Sequence, residues 1–123
     1  MKNITSTKED NIIINTVVGK VTIDGIFEHI KQNVEAWKEV PEIWDFNQAD
    51  LSGISTEEWR EMLNRLKKLA KIKPGQKTAL LSSTDLSFGM MRALDMASEL
   101  KDFPIKLESF RDKGEAKKWL SEQ

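Results

Sequence analysis

Short β-forming runs alternate with helical stripes along this chain, and that alternation restricts the fold more than any other feature. "KTALLSS" at 77–83 is the sharpest case. It is mostly apolar and of strand length, the pattern of a strand covered on both faces. Upstream, Ile23, Ile26, Phe27, Ile30, Val34 and Trp37 fall at steps of three and four and share one helical face. Glu28, Lys31, Gln32 and Glu35 take the other. Pro41 blocks continuation of that helix, and "EIWDF" follows as a short strand rich in β-formers. Ser55 opens a second helix with Trp59, Met62, Leu63, Leu66, Leu69 and Ala70 as its buried stripe. Pro74 and Gly75 end it.

The same grammar continues downstream. "STDLSFGMMRALDMASELK" predicts a third helix, with Met90, Met91, Leu94 and Ala97 facing inward. Met96 sits nearer its flank. "FPIKLESF" predicts a strand, and "DKGEAKKWLSEQ" a short fourth helix with Ala116, Trp119 and Leu120 as apolar contacts. At the start, "KNITST" and "NIIINTVVG" predict a hairpin turning at "KED". The order is ββαβαβαβα. Helices between strands favour parallel pairing through right-handed crossovers. The expectation is an α/β fold: a mixed sheet of four or five strands, its antiparallel part from the hairpin, packed by four helices.

Composition narrows the function classes. A chain of 123 residues predicts one domain over 1–123. Without cysteine there is no disulfide framework and no thiolate chemistry. A net charge of −1 gives no pull toward nucleic acid. "MKNITSTKED" lacks the apolar region of a signal peptide, and "IIINTVV" is far short of a membrane span. A cytoplasmic protein is expected. Arg65, Lys67, Lys68, Lys71, Lys73 and Lys77 cluster locally. A solvated face complementing a helix C-terminus accounts for them, so docking on a membrane surface is not expected.

Enzyme signatures are absent: no P-loop, GxGxxG, HExxH or GxSxG. A single histidine, His29, cannot build a zinc site or a triad without cysteine. It reads as a surface residue off the main helical stripe. No catalytic residue, metal or cofactor is expected. In open α/β sheets, ligands gather at the carboxyl ends of strands. The polar loops there are "NQADLSGIS" and "SSTDLS", each leading into a helix N-terminus that could receive an anion. Asp85 reads as a helix cap or Asx turn. Ser55-x-x-Glu58 reads as a capping box.

The order of elements, the "VVGKVTIDGI" lead into the first helix, the strand "EIWDF", the helix "FGMMRAL" and the ending "SFRDKGEAKKWL" together resemble the STAS fold. That fold is named for sulfate transporters and anti-sigma-factor antagonists. The chain is most similar to the small stand-alone SpoIIAA-like proteins, over about residues 2–121. The antagonists carry D-S-S-G before the second helix, with one serine phosphorylated by a partner kinase. Counted from Asp45, that quartet falls on Gly53, Ile54, Ser55 and Thr56, so the acid and the glycine are missing and Ser55 stands at the phosphoacceptor place. The resemblance implies a non-enzymatic regulatory module that docks a protein partner or itself as a homodimer, with Ser55, Ser52 and Thr56 as the switch loop. The alternative is a binding protein for a small apolar or anionic ligand held between the third helix and the sheet, near Phe88, Arg92, Phe110 and Asp85. Arg92 would supply its charge.

Overall fold

A computed structural model describes residues 3–37, 40–68, 77–84 and 106–122. The hairpin joins β1 (Ile4–Glu9) to β2 (Ile12–Lys20), and it turns at Asp10 and Asn11 rather than over "KED". Both turn residues have positive φ, at 53° and 61°. A two-residue turn of the I′ type needs that conformation twice, and Asp and Asn tolerate it best after glycine. Lys8 and Glu9, expected in the turn, therefore complete β1, with Glu9 paired to Ile12.

Chain order and sheet order coincide: β1-β2-β3-β4-β5. β3 spans Glu42–Asp50, β4 Lys77–Leu81 and β5 Lys106–Phe110. The hairpin is antiparallel and every other pair is parallel, as expected of a mixed sheet. β3 is longer than "EIWDF" suggests because its second half, Gln48 to Asp50, stays paired to Val18, Gly19 and Lys20. One extra residue of β3 is bulged between these two halves. There Asp45 Oδ1 accepts from the Asn47 amide, and Asn47 Oδ1 accepts from the Ser83 amide at 2.6 Å, holding the exit of β4.

Among the described residues there are three helices: α1 (Ile23–Trp37), α2 (Thr56–Lys67) and α3 (Lys113–Ser121). The helix expected over 83–101 falls almost entirely outside them, as do Leu69 and Ala70 and the side chains of Val34 and Trp37. Thr22 starts α1 by accepting from the Gly25 amide through Oγ1, and Asp112 starts α3 by accepting from the Glu115 amide.

The helices divide the core into two layers. α1 and α2 cover one face, where Val17, Trp44, Phe46 and Leu80 of the sheet meet Ile26, Phe27, Trp59 and Leu63. α3 covers the other, where Ile12, Ile14, Ile43, Ala79 and Leu81 meet Ala116 and Leu120. Alternation along each strand sends successive side chains to opposite layers. α3 is also tied to the hairpin turn, since Lys117 reaches both Glu9 and Asp10.

Candidate functional site

A strand covered on both faces has no water for its polar side chains, so Asn15 in the middle of "IIINTVV" must find protein partners. It is fully buried. Ser6 lies directly opposite on β1, and its hydroxyl donates to Asn15 Oδ1 at 2.7 Å. Asn15 Nδ2 donates to Glu42 Oε1 at 3.1 Å, and Trp44 Nε1 donates to the same oxygen at 3.3 Å. Burial pushes the Glu42 carboxyl up from its ordinary 4.5 to about 7, and the two N–H donors pull it back only in part.

His29 joins this group from α1. Its Nε2 lies 2.8 Å from Ser6 Oγ, and its ring stands edge-on to Trp44 with centroids 5.9 Å apart. The sequence reading made it a surface residue. It is half-buried, because the hairpin rises beside α1 and meets the flank of the helix.

Beside Glu42 lies a cavity of about 60 Å³ between α1, α2 and the sheet. Ile26, Trp44, Trp59, Met62, Leu63 and Leu80 are among its walls, and Glu42 is its one charged residue among those described. The Trp59 indole N–H is buried there without a hydrogen-bond partner. An orphaned donor costs about 1–3 kcal/mol of desolvation, so this N–H is a standing acceptor site. A second concavity, of about 330 Å³, opens between β1, the end of β2 and the start of α1. Asn3, Lys20, Thr22, Glu28 and His29 line it.

The loop 51–55 is ordered by its own side chains. Asp50 Oδ1 accepts from the Ser52 amide at 3.0 Å and from its hydroxyl at 2.6 Å, which holds the Asp50 carboxyl below its usual range. Ser55 is the N-cap of α2 and both halves of the capping box are present. Its Oγ accepts from the Glu58 amide at 3.2 Å, and Glu58 Oε1 accepts from the Ser55 amide at 3.0 Å. Ser52, Ser55 and Thr56 are all exposed. Ser55→Ala should cost about 1 kcal/mol in urea denaturation; a cost below about 0.3 kcal/mol would mean that the cap contributes little to this helix.

The other proposed pocket divides. Phe110 packs against Trp119 on the α3 layer, with ring centroids 5.6 Å apart. Asp85, Phe88 and Arg92 lie outside the described residues, as do Met90, Met91 and Met96. Among the described strands the order has no reversal, so they form no switch point of the kind at which the crevice of open α/β sheets lies. Sequence reasoning passed over Ser6, Asn15 and Glu42. The available signal was Asn15, one amide inside an apolar strand.

No family model and no curated protein matches the chain. Among solved structures, it is similar to an uncharacterised protein of the DUF3478 family with a SpoIIAA-like fold from Shewanella loihica PV-4. The TM-score is 0.57 at 19% identity, over 95% of this chain and 91% of that one. The chain has a SpoIIAA-like fold. At that identity the likeness speaks for architecture alone. On this SpoIIAA-like sheet, the capping serine and the buried carboxyl sit at opposite ends of β3: Asp50 closes the strand before the Ser55 loop, and Glu42 opens it. No described helix is long and apolar enough to cross a membrane.

Proposed function

We propose that the protein is a non-enzymatic interaction module that docks a protein partner through α2 and the 51–55 loop, with Ser55 as the residue that can be switched. The observation that carries this reading is the exposed, internally braced loop feeding the capped start of α2. Little ordering entropy is left to lose when a partner binds such a surface. Asp50, Glu57 and Glu58 make the loop and the first turn of α2 acidic, which fits a basic partner face there. A phosphate on Ser55 would add about −1.5 to −2 charge at a helix N-terminus, where negative charge is favoured. It would change the docking surface without melting the helix.

Native mass spectrometry of the protein purified gently from its own cells tests this. The reading expects a stoichiometric complex that Ser55→Asp alters and Ser55→Ala keeps. A bare monomer in all three would overturn it, and a bare dimer would replace the partner with a second copy.

A second reading is favoured by the orphaned Trp59 N–H beside the cavity. A small, uncharged, largely apolar molecule with an oxygen acceptor would satisfy it, whereas an anion would be repelled by an ionised Glu42. On this reading 1-butanol raises the thermal midpoint and butyrate does not, by mass action on the folded state. Equal shifts from the two, or a butanol shift that survives Trp59→Phe, would remove it.

A further inference from the structure

Four side chains on four elements make an unbroken polar chain that runs inward from the surface: half-buried His29 on α1, exposed Ser6 on β1, and buried Asn15 on β2 and Glu42 on β3. The joints are 2.8, 2.7 and 3.1 Å. Counting hydrogens fixes its direction. Ser6 has one hydroxyl hydrogen and gives it to Asn15 Oδ1, so His29 Nε2 must carry the hydrogen that meets Ser6 Oγ. Asn15 then donates to Glu42. Every donor points inward, and the chain ends on a carboxylate oxygen that accepts twice.

We propose that this chain is a reversible relay, in which a proton taken up from solvent by the buried Glu42 turns every hydrogen bond outward and moves the ring hydrogen of His29 from Nε2 to Nδ1. Protonated Glu42 donates to the amide oxygen of Asn15 once that amide has rotated by half a turn. Asn15 Nδ2 then donates to Ser6 Oγ, and the Ser6 hydroxyl donates to an unprotonated His29 Nε2. No proton travels along the chain: the Asn15 amide and the Ser6 hydroxyl rotate, His29 releases its Nε2 hydrogen to solvent and takes one from solvent at Nδ1, and the carboxyl keeps the proton it took from water. The two states differ at the surface, because His29 also lines the 330 Å³ groove. The relay does not depend on what the cavity or the α2 surface binds.

Among the described residues, the surroundings leave Glu42 to act through this route. From α1, His29 is the titratable group that faces it, through Ser6 and Asn15. β2, β4 and β5 present Asn15, Thr78 and Leu107. α2 presents Trp59, Met62, Leu63 and Leu66. The Arg65 guanidinium on α2 is turned away, 3.1 Å from Asp24 and stacked over Phe27. The carboxyl's raised affinity for a proton agrees with a relay that switches near neutral pH.

The test is an NMR titration that follows the ¹⁵N shifts of the His29 ring and the ¹³C shift of the Glu42 carboxyl in the same samples. Neutral His29 should carry its hydrogen on Nε2 above the Glu42 titration and shift toward Nδ1 as Glu42 protonates. Ser6→Ala should leave Glu42 titrating while the ring tautomer no longer follows, and Ser6→Thr should restore the link. A ring that keeps one tautomer across the Glu42 titration would overturn the relay. So would a switch that persists unchanged in Ser6→Ala, since both charges remain there and only the chain is broken.

Discussion

Raising the pH from 4.5 to 7 should remove about 3 kcal/mol of folding stability through Glu42 alone. The buried carboxyl holds its proton to about pH 7, whereas the unfolded chain releases it near 4.5. Between those values the folded state binds more protons, so stability falls as pH rises. Below the window the contribution is fully present, and above about 7 it is gone. Exposed Glu9, lowered by its Lys117 hydrogen bond, and exposed Asp50, lowered by Ser52, act with the opposite sign. Their contribution is lost on the acid side, as pH falls through their lowered values. Urea denaturation at intervals of pH measures the slope. Glu42→Gln keeps the acceptor for Asn15 and Trp44 but cannot ionise, so it should flatten the curve in that window. An unchanged slope in Glu42→Gln would assign the pH dependence elsewhere.

Leu63→Ala should cost about 2–5 kcal/mol. Leu63 is 1% exposed, and it stands in the wall of a cavity of about 60 Å³. The removed carbons would enlarge a void that already exists. The cost of such a deletion grows with the volume left empty, by about 24 cal/mol per Å³. α2 is braced at its start by the Ser55 box and against α1 by the Arg65–Asp24 pair, so it has little freedom to settle inward. Chemical denaturation gives the number directly. A loss under about 1 kcal/mol would mean that α2 does collapse into the gap.

Architecture was readable because it depends on periodicity. The stripe through Trp59, Met62, Leu63 and Leu66 and the run "KTALLSS" each admit one reading, and helices between strands leave few topologies. Ser55 as the cap of α2 was readable for a similar reason, since a capping box is local in sequence. The polar chain was not. Ser6, Asn15, His29 and Glu42 are joined only by the registers β1–β2 and β2–β3 and by the seat of α1 on the sheet. His29 looked exposed on a helical wheel because the wheel contains the helix and not the hairpin beside it. The turn at Asp10 and Asn11 starts two residues and ends one residue later than "KED", because the left-handed tolerance of Asp-Asn outweighs the polarity of that triplet.

The position of α3 has a consequence for how the chain is made. Among the described elements, α3 is the one that shields Ile12, Ile14, Ile43, Ala79 and Leu81, and it follows every strand in sequence. Vectorial synthesis therefore produces the apolar underside of the sheet well before its cover. Until α3 is made, no described helix covers that aliphatic surface, which is of the kind that chaperones bind. The Lys117 contacts with Glu9 and Asp10 then join residues 108 and 107 positions apart, so the clasp closes after almost the whole path of the chain has been laid down.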